Sequence, residues 1–247
     1  MLLESVGRYF LFLKEVYKMP QNHKVFHRLV MREINDLGIN SLGLVIFTSF
    51  FVGAVVAIQM YNNFTTSVIP IPMYYVGYAT KVVLILEFAP TIISVILGGK
   101  VGSYIASSIG TMRVTEQIDA LDIMGVNSVS FLVLPKVIAS VFFNPLLIMI
   151  SIIMGLFGGY VAGQATGNWS TVDYVQGLQM QMPTFFFYYA LIKTIVFAFL
   201  IATIPAYYGY YVKGGSLEVG RNSTQAVVWT IVMIIIMNLI LTQAILN

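Results

Sequence analysis

Five long apolar runs dominate the chain, and each predicts a helix that crosses a membrane. A run of roughly 20 apolar residues is long enough to span the hydrocarbon core of a bilayer. The third run is longer than a bilayer requires and contains Pro135 and Pro145, so we expect a lead-in followed by a tilted or kinked helix. The predicted spans cover residues 41–60, 73–97, 131–163, 185–211 and 224–246.

Residues 1–40 follow a different pattern, in which apolar residues recur every three or four positions and charged residues fall between them. Such a pattern is typical of an amphipathic helix that lies in the membrane interface. Glu4 and Arg8 interrupt the first apolar stretch and no small-residue cleavage site follows, so we do not interpret it as a signal peptide. The predicted fold is a single all-α integral membrane domain over residues 1–247, with an amino-terminal interfacial amphipathic helix and about five transmembrane helices.

Composition supports a membrane protein and excludes several other classes. Charged residues make up 9% of the chain, against roughly 25% in a soluble domain, and the mean hydropathy is +0.86. The chain has no cysteine, which excludes disulfides, thiol nucleophiles and cysteine metal ligands. The net charge of +3 is too small to indicate a nucleic-acid partner.

The basic residues lie on one side of the predicted membrane topology. Of the thirteen Lys and Arg residues, all except Lys81 and Lys193 fall in the amino terminus, in residues 100–136 or in residues 213–221. The connections on the other side carry almost no charge. By the positive-inside rule the amino terminus is cytoplasmic, and five spans place the carboxyl terminus outside.

A short charged stretch, residues 110–125, lies on the cytoplasmic side between two spans. We expect a helix there, with Thr115 as its N-cap and Gly125 at its end. The membrane face is expected to consist of Ile118 and Leu121. The acidic face is expected to consist of Glu116, Asp119 and Asp122. An acidic face can dock in a basic groove of a partner, but a solvated loop helix explains the periodicity equally well.

Three charged residues fall inside predicted spans, apart from Lys136 in the lead-in of the third. A carboxylate such as Glu87 is costly in a membrane unless it is protonated, paired or hydrated, so it is either functional or hydrogen-bonded to a neighbouring helix. Pro90 lacks the N–H that would bond the carbonyl of Leu86, and we expect a local bend. Lys81 and Lys193 either extend towards the outer surface or contact a ligand.

Small residues recur at every fourth position in three ridges, which allow helices to approach closely. Packing within one bundle explains each ridge, but the first could also join two copies of the chain and the second could transmit movement. The ridges are Ser49, Gly53 and Ala57; Gly98, Gly102, Ala106 and Gly110; and Gly155, Gly159 and Gly163.

Motifs for catalysis are missing. Residues 98–100 read Gly-Gly-Lys, but Ser94 and Val101 replace the glycine and hydroxyl residue of an ATP-binding loop. His23 and His27 have metal-ligand spacing without an evident carboxylate partner, so no metal site is predicted. We therefore expect a protein that is not an enzyme.

One ordered set of motifs runs from the second span to the start of the third. The set comprises Glu87-Phe-Ala-Pro90, Gly98-Gly-Lys-Val-Gly-Ser103, Ile109-Gly-Thr-Met-Arg-Val-Thr-Glu-Gln-Ile-Asp-Ala-Leu121, Met124-Gly-Val126 and Phe131-Leu-Val-Leu-Pro-Lys136. Taken together, these motifs closely resemble the MlaE-type permease family of ABC lipid transporters.

The resemblance implies a dimeric permease of the bacterial inner membrane that moves phospholipids between the inner and outer membranes. Its implied partners are a second copy of the chain, cytosolic ABC ATPase subunits that hydrolyse ATP, and a periplasmic MCE-domain protein; no cofactor is implied for this chain. The coupling helix that docks on the ATPase would comprise Glu116, Gln117, Ile118, Asp119, Ala120 and Leu121.

Glu87 matches an acidic residue near the family's lipid pocket between two permeases. Leu86 stands where the family often has Arg, and we hypothesise that Lys81 or Lys193 replaces that contact. Val52, Val56 and Tyr61 of the first span are candidate lining residues for the lipid tails.

Two other function classes compete with the permease. One is a membrane scaffold that docks a cytosolic partner through the acidic helix without transporting anything. The other is an ion-coupled carrier, which requires paired charges inside the membrane, and the sequence shows no clear pair because Lys81 and Glu87 lie on different helix faces.

Overall fold

A computed structural model describes residues 2–18, 23–68 and 71–246 of the chain, and all regular structure in these residues is helical. Two wider π-helical segments, Ile34–Ile39 and Leu84–Ile92, follow α2 and α4. The α-helices are α1 (Leu2–Val16), α2 (His23–Glu33), α3 (Asn40–Thr65), α4 (Tyr74–Val83), α5 (Ile93–Val114), α6 (Gln117–Ile123), α7 (Ser128–Thr166), α8 (Thr171–Gln179), α9 (Phe185–Tyr210) and α10 (Ser216–Leu246).

Among the described residues, five helical segments are long and apolar enough to cross a membrane, which confirms the predicted class of an all-α integral membrane protein. The helices extend beyond the predicted spans because the apolar pattern reports contact with lipid, whereas a helix continues through polar sequence. The second segment, for example, runs to Val114. The segments are Val25–Thr65, Tyr74–Val114, Ser128–Thr166, Phe185–Tyr210 and Ser216–Ile245.

The chain forms two compact units. Unit 1 comprises residues 1–40, 94–144 and 195–247, and unit 2 comprises residues 41–93 and 145–194. The intramembrane charges Glu87 and Lys193 belong to unit 2. The acidic helix α6 belongs to unit 1.

In unit 1, helix α1 packs one aromatic face against the end of α9. Phe12 is buried, and its ring lies 5.6 Å from the ring of Tyr207 and 5.8 Å from that of Tyr210. The hydroxyl groups of Tyr9 and Thr203 are 2.7 Å apart, and burial raises the pKa of Tyr9 to about 12. Other apolar side chains of α1, including Leu11, are exposed. A helix with a packed face and a second exposed apolar face suits the membrane interface.

The second ridge of small residues lies inside unit 1. A side chain added at Gly102 would lie 3.2 Å from Pro205 of α9, and one added at Gly110 would lie 3.0 Å from Val219 of α10. Ala106 is 1% exposed. The ridge therefore brings α5 into close contact with α9 and α10.

A buried ion pair fixes the start of α7 within unit 1. Lys136 Nζ lies 2.5 Å from Glu33 Oε1, and the side chains are 5% and 15% exposed. Seven residues further along α7, the ring of Phe143 occupies the space that a side chain at Gly38 would need. These contacts hold α7 against the π-helical segment Ile34–Ile39.

In unit 2, the first and third ridges pack against each other. Ser49 donates a hydrogen bond to Ser151 over 2.8 Å, and a side chain at Gly53 would collide with the backbone carbonyl of Gly155. Gly158 likewise faces the carbonyl of Phe50. Helices α3 and α7 thus touch backbone to backbone, and the interpretation of these two ridges as packing within one chain is confirmed.

Candidate functional site

The intramembrane carboxylate lies in the π-helical segment Leu84–Ile92, which includes Pro90. Proline cannot donate a backbone hydrogen bond, so the regular α-helical bond to the carbonyl of Leu86 is absent here. Lys193 Nζ donates to this carbonyl, at 3.2 Å from the Leu86 oxygen. The local distortion therefore creates an acceptor site for a side chain of α9.

Lys193 and Glu87 form an ion pair within unit 2. Lys193 Nζ lies 2.9 Å from Glu87 Oε1 and 2.9 Å from the hydroxyl oxygen of Tyr189. The Tyr189 hydroxyl in turn donates to Glu87 Oε1 over 3.1 Å. Lys193 is 0% exposed, so the interpretation that it extends to the outer surface is wrong: its ammonium is turned inward to the carboxylate.

The two members of this pair differ in accessibility. The side chain of Glu87 is 39% exposed, whereas that of Lys193 is fully buried. Thr91, one turn further along, donates to the second carboxylate oxygen at 3.4 Å. The accessible group of the site is thus the carboxylate of Glu87, whose charge is balanced by the buried ammonium of Lys193. It can accept a hydrogen bond from a polar ligand without leaving an unbalanced charge in the membrane.

Lys81 has a separate, structural role. It is 9% exposed, and its ammonium donates to the carbonyl oxygens of Leu178 at 2.8 Å and Met180 at 2.6 Å. These carbonyls lie at the carboxyl end of α8, where helix carbonyls lack partners and a cation is favourable. Lys81 therefore binds backbone carbonyls of its own chain, and its charge caps α8.

The candidate lining residues of α3 are placed differently from one another. Val56 is 2% exposed and packs within its own chain, Val52 is half-buried, and the ring of Tyr61 lies 5.5 Å from that of Trp169. The exposed face of α3 carries Phe51 and Val55 instead. The first small-residue ridge is likewise turned inward, so the expectation that it joins two copies is replaced by contact with α7.

Helix α6 is the predicted acidic helix, with a different start. Thr115 donates its hydroxyl to the carbonyl of Thr111 and does not cap α6, so the predicted N-cap is wrong. Glu116 precedes the helix in a left-handed conformation with φ of 58°. Gly125, with φ of 76°, follows the last turn as predicted. The sharp turn at Glu116 separates α6 from α5.

The faces of α6 are arranged as the sequence predicts. Ile118 is fully buried, and Leu121 is half-buried. Arg113 at the end of α5 pairs with Asp119 over 2.7 Å, which orients the helix. The exposed acidic positions are Glu116, Asp119 and Asp122, and Gln117 and Ala120 are exposed beside them.

Two further residues extend this surface and were not singled out from the sequence. Ile123 is 87% exposed and Met124 is 67% exposed, directly after the acidic residues. Two consecutive apolar residues outside the periodic membrane face were the available signal. The surface of α6 therefore combines acidic groups with an apolar tip, which suits a protein partner better than solvent alone.

No group of three or more His, Cys, Asp or Glu residues that could hold a metal ion occurs in the part of the chain that the structure describes. The side chain of His23 lies outside the described residues.

The fold and site together define a polytopic α-helical membrane protein with a balanced charge pair in one span and an acidic helix between spans. The model of the family Permease MlaE matches residues 30–244, and the chain belongs to this family.

Comparison with similar proteins supports this family assignment. A probable ABC transporter permease protein of Rickettsia bellii is 34% identical over 244 residues, which cover 98% of this chain and 92% of the relative. The intermembrane phospholipid transport system permease protein MlaE of Haemophilus influenzae is 26% identical over 230 residues, covering 90% of this chain and 84% of the relative. The chloroplastic protein TRIGALACTOSYLDIACYLGLYCEROL 1 of Arabidopsis thaliana is 29% identical, covering 89% and 62%.

Proposed function

We propose that the chain is the permease subunit of an ATP-driven transporter that moves phospholipids between the inner and outer membranes. Membership of the Permease MlaE family supports a membrane-embedded component of an ABC transporter. The observation that carries the lipid assignment is the Glu87–Lys193 pair, a polar site held inside an apolar span. A phospholipid has both a polar group for such a site and apolar tails for its surroundings.

The pair explains how a polar headgroup can be bound inside the membrane. An isolated carboxylate there would be costly, but Lys193 and Tyr189 satisfy one oxygen of Glu87 from the buried side. The exposed part of Glu87 then accepts a hydrogen bond from a hydroxyl or ammonium of the headgroup. Lys193 acts behind it as a positioning residue, because its ammonium has no exposed surface.

Partners complete the transporter. The exposed surface of α6 docks on a cytosolic ABC ATPase subunit, which hydrolyses ATP. A second copy of the chain forms the other half of the lipid cavity, and a periplasmic MCE-domain protein receives or delivers the lipid. Family membership supports a bacterial inner-membrane location. The distribution of Lys and Arg supports a cytoplasmic amino terminus.

Transport follows from movement of α6 with the ATPase. Arg113 joins α6 to the end of the helical segment Tyr74–Val114, and the same segment carries Glu87. When the ATPase subunits close, this segment moves and the surroundings of Glu87 change. Only a difference in lipid affinity between the two states can drive the lipid onward.

Charge reversal on α6 tests this assignment against the scaffold. We expect the variant Glu116→Lys/Asp119→Lys, tagged and purified from native membranes in mild detergent, to lose a co-purifying ATPase but to keep co-purifying phospholipid. The loss follows because two acidic contacts become repulsive in a basic groove. Mass spectrometry of proteins and lipids makes the measurement.

The control is Glu15→Lys, which reverses an exposed acidic residue of α1 and should retain the ATPase. ATPase retained by the α6 variant would overturn the docking site. A wild-type chain that brings down a cytosolic partner but no enriched phospholipid would favour the scaffold.

A further inference from the structure

An apolar groove in unit 1 is not part of the site at Glu87. Its volume is about 650 Å³, and it lies between α7 and α9 with Tyr17 at one end. The α7 side runs from Leu134 to Phe142, and the α9 side from Ile195 to Phe199. The lining residues Ile138 and Phe142 are 39% and 63% exposed, so the groove is open at the protein surface.

The depth of the groove matches one leaflet of a bilayer. From Leu134 to Phe142 a helix rises about 12 Å, at roughly 1.5 Å per residue. Half of the hydrocarbon core measures roughly 15 Å. A spanning helix of a partner needs a surface twice as long, whereas one acyl chain of a phospholipid fits a groove of this depth.

The end of the groove at Tyr17 has the features of a headgroup site. Lys14 lies in the last turn of α1, and Tyr17 and Lys18 follow directly after the helix ends at Val16. Lys14 and Lys18 are exposed. The hydroxyl of Ser130, at the start of α7, donates to the backbone carbonyl of Lys18. This hydrogen bond holds the segment that follows α1 beside the groove.

We infer that this groove binds an anionic phospholipid from the leaflet in which α1 lies. One acyl chain occupies the space between α7 and α9, Tyr17 lies at the level of the headgroup, and Lys14 and Lys18 contact the phosphate. The bound lipid is separate from the transported one, because the groove shares no residue with the Glu87 site. It attaches the end of α1 to α7 and α9.

The absence of cysteine allows a direct test with single labels on the full chain. Ile138→Cys carries a bimane fluorophore in the groove, and Ile153→Cys carries the same label on an exposed part of α7 outside it. Both are placed in nanodiscs of phosphatidylcholine with a minor fraction of phosphatidylglycerol whose acyl chains are brominated and quench bimane. We expect quenching at position 138 to report phosphatidylglycerol enriched about fivefold over its bulk fraction, the effect of about one near-surface lysine.

Position 153 should report the bulk fraction, and so should position 138 in the variant Lys14→Glu/Lys18→Glu. Lys213→Glu, which reverses an exposed lysine away from the groove, should leave the enrichment at 138 unchanged. Equal quenching at 138 and 153 would overturn the site. Enrichment that disappears when the chain is purified with its native partners would also overturn it, since a protein would then fill the groove.

Discussion

The variant Glu87→Gln is expected to lower the free energy of unfolding in detergent by about 1.5–3 kcal/mol, the range for losing a hydrogen bond to a charged group. The reason is that Lys193 has 0% exposure, so its ammonium would stay buried without a counter-charge. This loss is below the cost of breaking a fully buried ion pair, because Glu87 is 39% exposed and solvent screens part of the attraction. Lys193→Met should cost less, because the remaining carboxylate is 39% exposed and keeps the hydroxyl of Tyr189. Thermal unfolding, monitored by intrinsic fluorescence, shows which of the two variants loses more stability.

The double variant Glu87→Gln/Lys193→Met provides the control. It removes both charges, so it should recover most of the stability that Glu87→Gln loses. Stability losses that simply add in the double variant would contradict the ion pair, because two independent sites behave in that way.

The second large effect concerns the contact between α3 and α7. Gly53→Val is expected to destabilise the protein by at least about 3 kcal/mol, at the upper end of the range for overpacking. The added side chain would collide with the carbonyl of Gly155, and a backbone atom cannot rotate away as a side chain can. Membrane yield and the unfolding temperature in detergent measure the loss.

Gly43→Val is the matched control. It lies on the same helix, and a side chain added there meets no atom within 4 Å. The two variants change the same residue type, so helix propensity cancels between them. If Gly53→Val were as stable as Gly43→Val, the backbone contact between α3 and α7 would be excluded.

Much of the fold could be predicted because membrane helices leave a direct record in the sequence. Five apolar runs predict five spans, and the described residues contain five helical segments suited to crossing a membrane. Spacing also predicted which side of α6 is buried, as the fully buried Ile118 shows. Both the spans and the buried face of α6 depend on local periodicity, which can be read from residues close together in the sequence.

The partners of the intramembrane charges could not be predicted in the same way. Glu87 and Lys193 are 106 positions apart, and no local pattern indicates that their helices meet. Lys81 and Lys193 are both lysines at a similar depth of a predicted span, so the sequence alone does not distinguish their roles. Their contacts differ, since Lys81 caps α8 with two backbone hydrogen bonds and Lys193 pairs with a carboxylate.

The start of α6 shows a further limit. Thr115 is a good N-cap residue by type, but α5 continues to Val114 and the hydroxyl of Thr115 bonds back to Thr111. The turn is made instead by Glu116 in a conformation that non-glycine residues rarely adopt. The start of α6 therefore does not follow the capping preference of Thr115, and Ile118, two residues after the turn, is fully buried.

The most direct measurement of the central claim compares phospholipid transfer by the wild-type transporter and by the folded double variant Glu87→Gln/Lys193→Met. The purified complex is reconstituted in vesicles, and ATP-dependent movement of a labelled phospholipid is followed. We predict that the double variant assembles with its ATPase but loses transfer, because the carboxylate that accepts the headgroup is gone. Transfer at the wild-type rate by a double variant that lacks both charges would contradict the account.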